Sequence, residues 1–184
     1  MVFDGILYGK TVCLRSVEEK DAAVTLKMRL NPSANQYLTK VDNDVEKQRA
    51  FIARQRDMAG DYLFIAEDMN GNPIGMRRVN RVSSEGRYCY TGSLIGLGNA
   101  VQNTEIALLG YDFAFQILGV SRIILEVVAA NVNVVNSQAR YGAEEIKRES
   151  SEEFGEFIYQ ELTLESYMAH RPAIYGLIEK LGSR

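Results

Sequence analysis

The fold is decided by the stretch GSLIGLGNAVQNTEIALLGYDFAFQILGVSRIILEVVAA, residues 92–130. It contains the end of a strand, a short loop of glycine and asparagine, a helix pattern that is apolar on two faces, and a final apolar run. A helix with two apolar faces packs on a sheet and is contacted from a second side. We predict this helix over 104–118, with Asn103 or Thr104 as its N-terminal cap and Gly119 as its left-handed end.

The segments on either side of this helix predict a site for an anion. Residues 122–129 are apolar on both faces, which is typical of a parallel strand covered by helices on both sides. The loop before the helix follows a strand and exposes the N–H groups of a helix N-terminus, where anions bind. We therefore predict that this loop binds an anion such as a pyrophosphate and that it is the functional centre of the chain.

Composition indicates a soluble globular protein with one core. The 184 residues are 46% hydrophobic and 24% charged, which is ordinary for such a domain. The net charge of −3 argues against nucleic acid as a partner, because nucleic-acid binders carry a basic face. No apolar run approaches the roughly 20 residues that span a bilayer, and the start of the chain lacks a secretory pattern. Cys13 and Cys89 are too few for a disulfide framework, so we predict reduced thiols in a cytoplasmic protein without a membrane partner.

The rest of the chain alternates between strand and helix patterns. A strand over 11–17 leads into a helix over 17–30, which Ser16 and Glu19 open as a capping box. The remaining predicted elements are a helix from Asn43 or Asp44 to Gly60, an antiparallel meander over 61–68, 74–82 and 87–95, a short helix over 131–141, a hairpin over 144–149 and 156–164, and a last helix over 172–181. We predict an α+β fold in a single domain over 1–184, with its core over 10–164. Its central mixed sheet has about six to seven strands, about four flanking helices and a C-terminal helix.

Ordered segments along the chain resemble one enzyme family. They are 14–22, the hairpin 70–75, 104–105 with 111–115, 118–123, 125–127 with Asn131, and Tyr141-Gly142. Together they resemble the GNAT superfamily of N-acetyltransferases. Within that superfamily they resemble the branch that acetylates ribosomal-protein N-termini or the amines of sugar nucleotides. The segment 28–32, with Tyr37 just after it, is similar to the Arg-Asn-x-Pro segment of the amino-sugar acetyltransferases.

The resemblance implies acetyl-CoA as the cofactor, with the loop over 98–103 at its pyrophosphate. Two glycines of the family's loop are replaced by Val101 and Asn103, and a β-branched valine would crowd a close approach. The backbone amides of the loop remain. The family's tyrosine that protonates the leaving thiolate falls on Gln138. The candidate cofactor-binding residues are Leu94, Ile95, Val101, Gln102, Asn103, Thr104, Asn131 and Asn136.

Acyl transfer from a thioester to an amine also needs a polarised carbonyl and a base. A backbone N–H near Leu94 or Ile95 polarises the carbonyl if its strand separates from the neighbouring strand, which Gly92 and Gly96 favour. Glu126 is the one charge in an apolar strand and the leading candidate base. The base alternatives are Glu67 and Glu85, and Glu126 could equally be a strand residue that faces solvent. For His170 we predict a surface or helix-start role, and no residue is a candidate metal ligand.

The candidate substrate-binding residues are Arg29, Tyr37, Arg77 and Tyr90. Arg77 belongs to a group with Arg78 and Arg81, whose guanidinium groups suit a substrate phosphate. The same group could instead form the solvated edge of the sheet. Tyr90 could stack on a sugar or base, or pack in the core.

Three functions follow from these observations. The first is acetyl transfer from acetyl-CoA to a small-molecule primary amine, such as a nucleotide-linked amino sugar, with a protein N-terminus as the alternative acceptor. The second is a non-catalytic binding protein that keeps the GNAT fold but has lost the glycine loop. The third is assembly, since the helix over 172–181 could form a homodimer, which is compatible with the first.

Overall fold

Eight strands form one mixed sheet in the computed structural model, which describes residues 1–182. Ser183 and Arg184, the last residues of the predicted domain, lie outside the described residues. The strands are β1 (Ile6–Tyr8), β2 (Val12–Ser16), β3 (Tyr62–Asp68), β4 (Pro73–Asn80), β5 (Tyr88–Gly96), β6 (Arg122–Val128), β7 (Glu144–Ser151) and β8 (Gly155–Thr163). Their order is β1-β2-β3-β4-β5-β6-β8-β7, and only the β5–β6 pair is parallel within this described sheet. The predicted α+β class is confirmed. The sheet also contains β1, which was not predicted because it is too short to show an alternating pattern.

Five α-helices cover this sheet within residues 1–182. They are α1 (Ala22–Arg29), α2 (Val45–Asp57), α3 (Ala100–Asp112), α4 (Val132–Ala139) and α5 (Leu164–Leu181). A 3-10 turn, Glu19–Asp21, precedes α1, and a π-helical turn, Phe113–Ile117, continues α3. Helix α1 packs on α2, whereas α3 crosses β2, β4 and β5 and contacts α5.

Two apolar cores lie on opposite faces of the sheet. Successive residues of β3 show this, because Leu63 joins the core under α1 and α2 while Phe64 joins the core under α3. The α3 core is the larger and contains Ile106, Tyr111 and Phe113. The sheet is therefore covered on both faces, and α3 is buried as its apolar pattern predicts.

The predicted start of the first helix is wrong. The predicted box of Ser16 and Glu19 does not form, because Glu18 and Asp21 make the reciprocal bonds instead. The Ser16 hydroxyl bonds to the backbone of Phe3, donating to its carbonyl at 2.9 Å and accepting from its N–H at 3.0 Å. The α1 segment consequently begins as a 3-10 turn rather than as a helix from residue 17.

The last helix begins earlier than predicted. Thr163 caps α5, since its hydroxyl accepts from the Ser166 N–H at 3.2 Å. Pro172 therefore lies inside the helix rather than at its start. His170 is exposed on the same helix, with its Nδ1 2.8 Å from the Ser166 carbonyl oxygen.

A buried carboxylate ties the β1–β2 turn to α3. Glu105 is 1% exposed and accepts from the Lys10 N–H at 2.6 Å, the Thr11 N–H at 2.7 Å and the Thr11 hydroxyl at 2.6 Å. We expect Glu105→Ala to lower the free energy of unfolding by about 3 kcal/mol, because buried donors lose a charged acceptor. Urea denaturation measures this change. Glu85→Ala, which removes one exposed ion pair with Arg87, should be close to wild type, and an equal loss in both variants would contradict the assignment.

Candidate active site

A β-bulge interrupts the pairing of β4 with β5. Met76 on β4 pairs with Ile95 on β5, and Arg78 pairs with Gly92. Two residues of β5, Ser93 and Leu94, therefore lie opposite one residue of β4, Arg77. Ser93 has a φ of 48°, a left-handed conformation that costs a residue other than glycine on the order of 1 kcal/mol or more. Such a bulge bends its strand and raises its twist.

The bulge lies where β5 separates from β6. Their parallel pairing runs from Tyr88–Arg122 to Thr91–Leu125 and stops there. Both strands continue, to Gly96 and Val128. The separation predicted from the glycines of β5 is therefore present, and it opens a cleft of about 130 Å³ between the strands. We call this the strand cleft.

The strand cleft brings together many of the predicted site residues, but not all of them. Its lining includes Leu94, Glu126, Asn131, Gln138, Tyr37 and Arg77. The Tyr37 hydroxyl donates to the Ala130 carbonyl at 3.2 Å and fixes the 31–44 loop beside the cleft. Asn136 and Tyr90 do not line the cleft. Asn136 is exposed. The Tyr90 ring lies under the Arg81 guanidinium, with 4.2 Å between the ring centroid and the guanidinium carbon.

Glu126 is the carboxylate that lines the strand cleft. Arg81 donates to its Oε2 at 2.8 Å, and the Tyr159 hydroxyl donates to its Oε1 at 3.4 Å. Burial, together with the neighbouring carboxylates of Glu149 and Glu126, raises the pKa of Tyr159 to about 12. This hydroxyl therefore stays protonated at neutral pH and can donate. The alternative bases, Glu67 and Glu85, pair with Arg15 and Arg87 and do not line the cleft.

Several buried polar atoms of the cleft lack a hydrogen-bond partner within residues 1–182. They are Nε and Nη2 of Arg77, Oγ1 of Thr91 and Oε1 of Gln138. The solvated-edge alternative for Arg77 is wrong, because β4 lies inside the sheet and Arg77 is 2% exposed. Its guanidinium carbon lies 4.8 Å from the centroid of the Tyr111 ring. The strand cleft thus contains donors and an acceptor that have no hydrogen-bond partner in the range 1–182.

The N-terminus of α3 differs from its prediction. Its cap is Asn99, not Asn103 or Thr104, and Asn99 and Gln102 form a reciprocal capping box. The side chain of Asn103 donates to the Gly98 carbonyl at 3.0 Å, and the Thr104 hydroxyl donates to the Ala100 carbonyl at 2.8 Å. Because these side chains bond within the segment, they stabilise the loop without the family's glycines.

Two amides at this helix start stay available to a ligand. The capping box takes the N–H of the third residue, which leaves those of Ala100 and Val101 without an intrahelical acceptor. The Val101 side chain packs against the larger core, so it does not cover these amides. Helix N-termini of this kind bind phosphate groups.

A second cavity of about 370 Å³ lies on the other face of the sheet. We call it the acceptor cavity, and its lining includes Arg29, Thr39, Val41, Asp42, Lys47, Gln48, Phe51, Leu63, Met76, Arg78 and Ser93. Ser93, at the bulge, lines both this cavity and the strand cleft. The two cavities therefore meet at the point where β5 is bent.

Within residues 1–182, the acceptor cavity holds one cation without a carboxylate partner. Its lining includes Arg29, Lys47, Arg78 and Asp42. Lys47 is paired with Asp42, so the charge of Arg29 is the one left without an acid in this lining. Burial lowers the pKa of Arg29, and the nearby charge of Arg78 lowers it further. Arg78 is paired with buried Asp61, whose Oδ1 accepts from Nε at 2.9 Å. An anionic ligand group would relieve the repulsion between these guanidinium groups.

Comparison with known proteins identifies the family. Residues 11–144 match the family model described as the acetyltransferase (GNAT) domain. The chain belongs to the GNAT acetyltransferase family. The resemblance seen in the sequence is thereby confirmed, and the chain is an N-acetyltransferase of this family. No curated protein sequence matches this GNAT protein.

Solved GNAT structures share the fold. Apo FdhC, described as a nucleotide-linked sugar GNAT, is 26% identical and superposes with a TM-score of 0.79 over 93% of this chain and 97% of that chain. Spermidine N-acetyltransferase from Vibrio cholerae, in complex with CoA and spermine, is 16% identical, with a TM-score of 0.78 over 87% and 99% of the two chains. The second likeness shows the fold alone.

The residues of this GNAT protein fit coenzyme A, the carrier of the acetyl group in this family. The strand cleft contains polar atoms without a hydrogen-bond partner among the described residues. The N–H groups of Ala100 and Val101, which have no intrahelical acceptor, suit a diphosphate. Within residues 1–182, no group of three or more His, Cys, Asp or Glu side chains is placed to hold a metal ion. No helix in the described part of the chain is long and apolar enough to cross a bilayer.

Proposed function

We propose that this protein transfers an acetyl group from acetyl-CoA to the primary amine of a nucleotide-linked amino sugar. The observation that carries the proposal is the meeting of two unlike cavities at Ser93. The strand cleft would hold the thioester, and the cationic acceptor cavity would hold the acceptor. A cytoplasmic location and a homodimer remain predictions beside it.

Each residue would act on one part of the reaction. When bound, the cofactor would supply a thioester whose carbonyl carbon forms a bond to the amine nitrogen as its bond to sulfur breaks, and the sulfur would take up the second proton that the nitrogen loses. The backbone at Leu94, on the bulge, would donate to the carbonyl oxygen. Glu126 would accept a proton from the ammonium, directly or through water. Arg81 holds this carboxylate in place.

The charge of the acceptor cavity favours an anionic acceptor. Guanidinium and ammonium groups suit phosphate oxygens, and Phe51 in the same lining offers a ring for a base or sugar to pack on. A polyamine would instead meet the charge of Arg29, which is unpaired within residues 1–182, because Lys47 and Arg78 already neutralise their own carboxylate partners. The likeness to FdhC, which is described as a nucleotide-linked sugar GNAT, supports the same acceptor class.

A variant of Arg29 tests whether the acceptor carries a phosphate group. We expect Arg29→Met to raise KM for a nucleotide-linked amino sugar by about 10-fold, because one charge-assisted contact to phosphate is lost. Steady-state kinetics should show a much smaller change for the same amino sugar without its nucleotide. Lys27→Met, on the same helix but outside the cavity, is the matched control. An equal rise of KM for both acceptors, or faster turnover of spermidine than of the sugar nucleotide, would contradict the proposed acceptor.

A further inference from the structure

Arg77 is a buried cation without a carboxylate partner. It is 2% exposed, it makes no ion pair within residues 1–182, and its Nε and Nη2 have no hydrogen-bond partner there. Other partly buried arginines do have acids: Arg15 pairs with Asp21, and Arg171 pairs with Asp112. A guanidinium keeps its charge in proteins, and a buried charge without compensation is strongly unfavourable. The ring of Tyr111 stabilises this cation only in part.

The unused donors lie at the closed end of the strand cleft. Thr91 is the last residue of β5 that pairs with β6, and its Oγ1 also lacks a partner. Arg77 lies on β4 opposite the bulge, and both residues line the cleft. Glu126 lines it too, but its two oxygens already accept from Arg81 and Tyr159. The cleft therefore offers an uncompensated positive charge and free donors to whatever enters it.

An acetyl group would leave these atoms unsatisfied. Its methyl end can neither accept a hydrogen bond from Arg77 nor balance its charge. A hydroxyl or keto group at the end of a longer acyl chain would accept a hydrogen bond but would not balance the charge of Arg77. A carboxylate does both, because its two oxygens match the guanidinium fork, and the Thr91 hydroxyl can donate to the same group.

We propose that, besides acetyl-CoA, the strand cleft binds CoA thioesters whose acyl group ends in a carboxylate, with Arg77 as the residue that recognises the carboxylate. This inference rests on the proposed function, because it assumes that the cleft binds a CoA thioester. It goes beyond that function in naming a second class of acyl donor beside acetyl-CoA. The carboxylate is unchanged by the transfer, so the acylated amine would carry a new negative charge.

Binding of matched thioesters tests the inference. Succinyl-CoA and butyryl-CoA carry acyl chains of the same length that end in a carboxylate and a methyl group, respectively. In isothermal titration calorimetry we expect the wild-type protein to bind succinyl-CoA about 10-fold or more tightly than butyryl-CoA. The ratio should fall to about one in Arg77→Met and stay at the wild-type value in Arg122→Met, which removes a half-exposed guanidinium outside the cleft.

The outcomes separate this inference from the function on which it rests. Equal affinities of the wild-type protein for the two thioesters, or a preference that survives in Arg77→Met, would overturn the role of Arg77 alone. Absence of binding to CoA and to every thioester would overturn the proposed function, and this inference with it. Arg77→Met should fold, because an apolar side chain replaces an unpaired buried charge. If it does not, the wild-type ratio decides without the variant.

Discussion

Replacing Glu126 with glutamine is expected to lower kcat by about 100-fold or more, because a general base contributes at least that factor. The amide has nearly the same shape and can still contact Arg81 and Tyr159, the two groups that bond to the carboxylate. It cannot take a proton from the acceptor ammonium. The affinity for CoA should change little, so the loss should fall on kcat. Thiol release with acetyl-CoA and a sugar-nucleotide amine measures it.

The neighbouring strand supplies a matched control for this variant. Glu161 pairs with Arg122 as Glu126 pairs with Arg81, and both carboxylate side chains are 25% exposed. Glu161 does not line the strand cleft. Glu161→Gln should therefore keep the wild-type kcat, and a Glu126→Gln enzyme that retained half of that value would show that the base lies elsewhere.

Ala100→Pro should weaken CoA binding by about 10-fold or more while leaving the fold intact. Proline removes the Ala100 N–H, one of the two amides without an intrahelical acceptor, and a hydrogen bond to a charged group contributes roughly 1.5–3 kcal/mol. The first helical position accepts proline well. Asn99 before it is extended, with φ −71° and ψ 174°, as a residue preceding proline prefers. Titration calorimetry with CoA measures the affinity.

Ala100→Ser keeps the N–H at the same position and serves as the control. It should bind CoA as the wild-type protein does. Circular dichroism and thermal unfolding should be alike for both variants, because the helix can begin with either residue. Unchanged affinity in Ala100→Pro would mean that the start of α3 does not hold the diphosphate.

The fold was predictable where a local pattern coincided with a packing requirement. Residues 92–130 gave the right order of strand, loop, helix and parallel strand, because a helix that is apolar on two faces has few places to pack. The left-handed end was also right, since Gly119 has a φ of 71°. The cap of α3 was wrong because several consecutive residues can cap a helix. The signal for Asn99 was present in Gln102, three residues later, which completes the capping box.

Site residues were predictable only where a single segment of the sequence places them. Glu126, Leu94 and Gln138 could be placed near the parted strands from their positions on or after them. The acceptor cavity was missed because its lining comes from α1, a loop, α2 and three strands, and no single segment shows it. Phe51 resembles an ordinary core residue of a surface helix. The burial of Arg77 likewise depends on the sheet order, which places β4 between β3 and β5.

We propose that the parted strands and the start of α3 together form the CoA site. A crystal structure of the protein soaked with CoA tests it most directly. We expect the diphosphate to accept hydrogen bonds from the N–H groups of Ala100 and Val101, and the pantetheine arm to lie between β5 and β6. A structure in which CoA binds elsewhere, or in which the cleft stays empty at saturating CoA, would contradict the account.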